Sequence, residues 1–383
     1  MNVAILSNNA ASFVRPMAEG LQRMFSRAGV NSSIFVEGLA DLERLPDTFH
    51  RYIRENGPGS VRIARRIARY LLIEAPALYR LVRKLQRFDV IVVVNSIPKA
   101  FMRSFFKDAT LRGLVPHVPI VLYSLFYLPT RGLWNTWLQH GNPKRGVPSG
   151  GNWALERYDW YLCASDVSDT AMPPGPQPYT VVGLDLDDRT LFPEPKEDFV
   201  ALIDFECPEY MAERAVQIQA CEQSHTKYIV LNGRYSINRI RSIYRKTSAY
   251  FPAMRESFGL PICELQACGS NILTPYARWC PSHTLKANCH VDGLGQLPPN
   301  FIVYDNDVAT LVAELHRLRQ TANPLQVVSD FRQCHPQFFS GDDEAVSDFV
   351  ARVRDGIITS RSHIDNVERP VTPPARIHAD VRP

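Results

Sequence analysis

The stretch "FPAMRESFGLPICELQACGSNILTP", Phe251–Pro275, decides the fold. It opens on the end of an apolar β-type run, Ser248 to Ala253, and closes on another, Asn271 to Thr274, leaving room for one short helix between them. Pro261 suits the first position of that helix, where its missing N–H is not needed. Gly269 suits the left-handed residue that ends it. The helix therefore starts at the carboxyl end of a parallel sheet, the edge at which open α/β folds take their ligands.

Two carboxylates, Glu256 and Glu264, bracket the bend. A helix start exposes unpaired N–H groups and partial positive charge, which suit a phosphate, and Gly259 lets the backbone approach such a ligand with no side chain in the way. Glu264, about one turn into the helix, has two oxygens to accept hydrogen bonds from a cis-diol such as a ribose. Glu256, at the strand end, can do the same for a second polyol. Amides for phosphate flanked by acids for hydroxyls describe a nucleotide sugar. Acids near a helix start are also ordinary stabilising charges, and that reading stands beside the functional one.

Outward from this unit the same alternation of strands and helices fills the chain. In the first half, Val3 to Ser7, Ser33 to Val36, Asp89 to Asn95, Pro119 to Leu125 and Asp159 to Ala164 read as strands. Several are apolar throughout, as strands covered on both faces should be. "MPPGPQPYT", Met172 to Thr180, reads as a linker. The pattern then restarts, with strands at Phe199 to Phe205, Lys227 to Leu231 and Phe301 to Tyr304, and helices at Glu209 to Cys221, Ile237 to Lys246 and Asp307 to Arg319. The expectation is an α/β protein of two Rossmann-like parallel-sheet domains with a cleft between them, covering residues 1–178 and 179–340. A helix at 341–360 and a flexible tail at 361–383 complete it.

The totals agree. A length of 383 residues points to two domains, and 45% apolar with 21% charged residues is a soluble, globular balance. No apolar run reaches the length that crosses a bilayer, and "MNVAILSNNA" lacks the marks of a signal peptide, so the expected location is cytoplasmic. The eight cysteines start at Cys163 and show no disulfide framework. A net charge of +4 does not by itself imply nucleic acid, and the aromatic platforms and motifs of nucleic-acid binding are missing.

The run "ESFGLPICELQACG" resembles the signature of the family-4 retaining glycosyltransferases, "E-G-F-G-L-P-x-x-E-A-x-A-x-G", with Ser257 where the family usually has Gly. "LERYDWYLCASD" is similar to the last strand of that family's first domain and "VVGLDLDDRTLFPEP" to its inter-domain linker. Asp342 to Ile358 resembles the C-terminal helix that crosses back to the first domain. The resemblance implies the GT-B fold, with the acceptor on the first domain and the nucleotide sugar on the second. It implies Glu256 as the catalytic candidate at the donor-sugar hydroxyls, Ser257, Phe258, Gly259 and Leu260 as backbone donors to diphosphate and sugar, and Glu264 on the ribose. It also implies transfer of a hexose-like residue with retention from a UDP- or GDP-linked donor to a glycan or lipid-linked acceptor, as in polysaccharide biosynthesis, with no metal and no other cofactor. Amides and cations would stabilise the leaving diphosphate.

Departures from the pattern are informative. Where the family supplies an Arg and a Lys for the diphosphate, "IDFECPEYMAERAV" has Glu206, Glu209 and Glu213 against Arg214, a balance that repels a diphosphate. The replacement cations are Arg234 and Arg239 in "NGRYSINRIRS", or Arg255 beside the motif. For each, a solvated surface charge is the alternative. In the first domain, Asn8 and Asn9 replace the family's Gly-rich turn, and Ser124 takes the approximate place of a frequent His. His140, in a polar loop, is the remaining cleft candidate.

The segment at 60–88 carries Arg62, Arg65, Arg66, Arg69, Arg80, Arg83, Lys84 and Arg87 against the single acid Glu74, with apolar residues at helical spacing and Pro76 dividing it. It fits an anionic membrane surface, which would make the enzyme peripheral on the inner face of a membrane, and equally an ordinary helix with a solvated basic face. "CPSHTLKANCH" holds Cys280, His283, Cys289 and His290 but lacks the paired short spacings of a zinc module, so no metal site is expected. Two other readings stay open: a nucleotide-sugar epimerase or phosphorylase on the same fold, and a non-catalytic scaffold subunit, which the missing Arg/Lys pair would suit.

Overall fold

A computed structural model describes residues 1–8, 13–37, 75–95, 111–125, 158–165, 178–253, 259–275, 299–304 and 307–360. The first unit holds β1 (Asn2–Asn8), α1 (Val14–Arg27), β2 (Asn31–Glu37), α2 (Ala75–Leu85), β3 (Val90–Val94), the single turn α3 (Leu111–Leu114), β4 (Ile120–Ser124), β5 (Trp160–Cys163) and β6 (Tyr179–Val181). Its strands lie in the order β2-β1-β3-β4-β5-β6, every neighbouring pair parallel. The second holds β7 (Val200–Ile203), α4 (Met211–Gln223), β8 (Lys227–Val230), α5 (Ile237–Lys246), β9 (Ala249–Phe251), α6 (Leu260–Ala267), β10 (Asn271–Pro275), β11 (Phe301–Tyr304), α7 (Val308–Thr321) and α8 (Pro324–Cys334). Its sheet runs β11-β10-β9-β7-β8, again all parallel. α9 (Asp343–Arg354) closes the described chain.

Local chemistry explains these elements. β3 is five β-branched residues, all buried, as a strand covered on both faces requires. Four helices start on side-chain caps: Ser236 for α5, Asp307 for α7, Asn323 for α8 and Asp342 for α9. α2 buries Val82 and Leu85 against the first sheet and leaves Arg80, Arg83 and Lys84 exposed, as is Arg87 in the turn that follows. Arg62, Arg65, Arg66 and Arg69 lie outside the described residues.

One boundary differs from the sequence reading. Tyr179–Val181 pairs with β5 as a sixth strand, so the first sheet runs past residue 178. The prolines end at Pro178, and the three residues after it favour a strand at a sheet edge.

The outgoing and returning segments between the two sheets run together. Leu184 N–H donates to the Gln337 carbonyl at 2.8 Å, Leu186 N–H to Phe339 at 2.9 Å, and Asp185 bridges antiparallel to Ser340. Gly183 sits at φ +76°, where a Cβ would stand 2.0 Å from the Gln337 carbonyl oxygen. Buried Asp185 pairs with Arg23 at 2.5 Å and with Arg27, which also reaches Asp343 at 2.9 Å. α9 then packs on the first unit, with Phe349 and Phe25 ring centroids 6.1 Å apart.

Candidate functional site

The acidic motif lies at the carboxyl end of β9. α6 begins at Leu260, with Pro261 in its first turn and Gly259 as its cap residue, and no side chain caps it. Gly259 is extended at φ 173°, a conformation open to any residue. Leu260 is buried, and Gly269 adopts the expected left-handed form at φ +75°. Arg255, Glu256, Ser257 and Phe258 lie outside the described residues.

Glu264 is 4% exposed and held by Arg241 of α5. The guanidinium donates from Nη2 at 3.0 Å and from Nε at 3.3 Å, both to Oε1. Among the described residues no hydrogen bond reaches Oε2, so one oxygen of the carboxylate keeps its accepting capacity. Burial pushes the Glu264 carboxyl above its ordinary range, and the attraction of Arg241 only partly offsets it. Arg241 also donates to Thr190 Oγ1 at 2.8 Å and stands 3.7 Å from Asp187 Oδ2, tying the pair to the segment between the sheets. Sequence reasoning passed over Arg241. The buried face of α5 is Arg241, Ile243 and Tyr244, with Ile237 exposed and Ile240 half-buried, so the apolar pattern did not mark Arg241 as an inward residue.

A second buried acid organises the same edge. Asp204, just past β7, accepts from Tyr250 OH at 2.6 Å and Ala253 N–H at 3.2 Å on Oδ2, and from Phe205 N–H at 2.8 Å on Oδ1. Ala253 is the last described residue before the bend, so Asp204 fixes where the chain enters it. Burial raises the Asp204 carboxyl despite these bonds. Arg214, from the first turn of α4, donates Nη1 to the Asp204 carbonyl at 2.6 Å. Its charge also acts on the Asp204 carboxylate, and it lines a pocket with Asp204, Phe205, Glu213 and Ala253. The acid-rich segment thus still presents one guanidinium at the ligand edge. Its neighbours are not bare charges either: Cys207 Sγ donates to Glu209 at 3.2 Å, and Glu213 is buried.

The other candidates fall as follows. Arg234, in the loop after β8, and Arg239, in the first turn of α5, are exposed at this sheet edge. Asn8 ends β1 and Ser124, half-buried, ends β4, both at the carboxyl edge of the first sheet. Asn9, His140 and the Cys280, His283, Cys289, His290 group lie outside the described residues. Among the described residues no cluster of three or more His, Cys, Asp or Glu could hold a metal.

No family model matches the sequence, and no curated protein matches it. Among solved structures, the chain is similar to a Listeria monocytogenes protein assigned as a UDP-N-acetylglucosamine 2-epimerase, with TM-score 0.53 and 10% identity over 93% of this chain and 97% of that one. It is similar to the UDP-GlcNAc 2-epimerase of Neisseria meningitidis bound to UDP-GlcNAc, with TM-score 0.50 and 10% identity over 93% of this chain and 100% of that one. The calicheamicin glycosyltransferase CalG4 aligns at TM-score 0.45 and 15% identity over 92% of this chain and 98% of that one. What the likeness shows is the fold: two Rossmann-like parallel-sheet domains of the GT-B type.

Proposed function

We propose that the chain is a glycosyltransferase that moves a sugar, with retention, from a nucleoside diphosphate sugar to a glycan or lipid-linked acceptor. One observation carries the reading: at the ligand edge of the second sheet, the buried Glu264 is gripped by Arg241 through one oxygen, leaving the other for a hydroxyl pair. In this reading Glu264 holds the ribose and the start of α6 faces the diphosphate, with cations drawn from Arg214, Arg234, Arg239 and Arg255. Glu256 contacts the donor sugar. The negative charge that builds on the leaving diphosphate is stabilised by these groups, with no metal required. The exposed basic face of α2 suits an enzyme working against an anionic membrane surface on a lipid-linked acceptor.

A second reading deserves a test because 2-epimerases share the fold at the TM-scores given above. Incubation with a panel of UDP- and GDP-sugars, with and without added glycan and lipid-linked acceptors, separates the two. Release of free nucleoside diphosphate that rises with an acceptor, together with a glycosylated product, supports transfer. An isomerised donor formed without acceptor replaces it with epimerisation, and no binding of any nucleotide leaves a scaffold.

A further inference from the structure

Lys196 has had no role so far. It stands in the segment that enters β7 and lines a cavity of about 770 Å³ at the amino edge of the second sheet, opposite the edge where the chain leaves β9 for α6. Phe199, Lys227 and Ser248, at the amino ends of β7, β8 and β9, share the wall with Pro324 and Leu325 at the start of α8. The Lys196 Nζ donates to the Thr247 carbonyl and, at 3.0 Å, to the Gly269 carbonyl. Thr247 caps the end of α5 and Gly269 follows the cap of α6, so one amine closes the carboxyl ends of the two helices that carry Arg241 and Glu264.

This cation faces no carboxylate. Glu194 pairs with Arg245 at 2.6 Å and Asp198 with Lys227 at 2.5 Å, and among the described residues no ion pair reaches Lys196. Burial pushes the ammonium down to about 8, so that about a quarter of it is neutral at about pH 7.5, against about a thousandth for an ordinary lysine. The two carbonyls suit the neutral form as well. A neutral amine has two N–H groups to give them, and its lone pair takes the tetrahedral direction that remains, away from both. The side chain is only half-buried on the cavity wall, so a small reagent can reach it.

We propose that Lys196 is an acylation site, taking a small acyl group from an acyl phosphate or acyl thioester that enters the cavity. Nζ attacks the acyl carbon and the C–N bond forms. The bond to phosphate or thiolate breaks, its electron pair leaves on that group, and the amine proton passes to water. An amide fits the place better than a carbamate, because it is uncharged, whereas a carbamate would set a negative charge against two helix carboxyl ends. The acylated side chain has one N–H for two carbonyls and no positive charge at either helix end, which loosens the junction of α5 with α6. The site stands whether or not the chain takes a nucleotide sugar.

The test incubates the full chain at about pH 7.5 with acetyl phosphate in one arm and a small acetyl thioester in the other, and follows each lysine by peptide mass spectrometry. Lys196 should be acetylated at least about tenfold faster than the exposed Lys84 and Lys246 in one arm or both, the gain in neutral amine leaving a margin for restricted access. That preference should vanish in urea, where the lysines share one environment. The acetylated chain and Lys196→Gln should unfold at a lower urea concentration than the wild type, whereas Lys196→Arg, which keeps the charge, should stay closer to it. If Lys196→Gln fails to fold, labelling and unfolding of the acetylated wild-type chain decide. Acetylation of Lys196 no faster than that of Lys84 and Lys246 in both arms overturns the site. An acetylated chain with an unmoved urea midpoint overturns the loosening of the junction.

Discussion

Replacing Arg241 with Met removes the cation that faces a carboxylate only 4% exposed. Breaking a buried pair from one side costs about 3–5 kcal/mol, because the remaining charge is left without a partner in a poorly solvated site. Loss of the bond to Thr190 adds about 1 kcal/mol. The sign of the pH dependence follows from Glu264, whose carboxyl burial already raises. Without Arg241 it rises further, so the folded state holds a proton that the unfolded state has released. The deficit is therefore smallest in acid, where both states are protonated, and grows as pH rises through the shifted value. Urea unfolding at about pH 5 and about pH 8 reads this, with a larger loss at the higher pH. The double variant Arg241→Met with Glu264→Leu should recover much of the loss, since no charge is left stranded. A single-variant loss below about 1 kcal/mol, or a double variant no better than the single, would refute the reasoning.

Other outcomes follow from the same structure. Gly183→Ala, forced to φ +76° against the Gln337 carbonyl, should destabilise by about 2 kcal/mol or more in urea unfolding; a neutral result would mean that the crossing segments are not packed as described. Asp204 is raised by burial, so its contribution falls as pH rises out of the ordinary carboxyl range, by at most about 1.4 kcal/mol per pH unit. Asp204→Asn should flatten that part of the stability profile, and an unchanged profile would contradict the assignment. Changing Arg80, Arg83, Lys84 and Arg87 together to Gln should reduce sedimentation with anionic vesicles, with about 1 kcal/mol per cation at stake; indifference to lipid charge would leave α2 with a packing role only.

Much of this architecture was legible in the residues. The all-apolar β3 and the helix α5, read from the sequence as Ile237 to Lys246 and found with those bounds, are written in local pattern. So is Gly269, the left-handed stop of α6. β6 was hidden because the proline run before Tyr179 signals a break, while its pairing with β5 is a tertiary fact. The Arg241–Glu264 pair joins residues 23 positions apart on different helices, which local pattern does not encode. Counting charges along "IDFECPEYMAERAV" gives no directions: Glu213 is buried and Arg214 reaches the Asp204 carbonyl, while both line one pocket.

The proposal that Glu264 holds a donor ribose is tested most directly by titrating UDP and GDP against their 2′-deoxy counterparts, for the wild type and for Glu264→Gln, which keeps an acceptor for Arg241. The wild type should prefer the ribonucleotide by about tenfold, and the variant should lose that preference. Equal binding of the ribo and deoxy forms by the wild type, or a preference untouched by the substitution, would contradict the account.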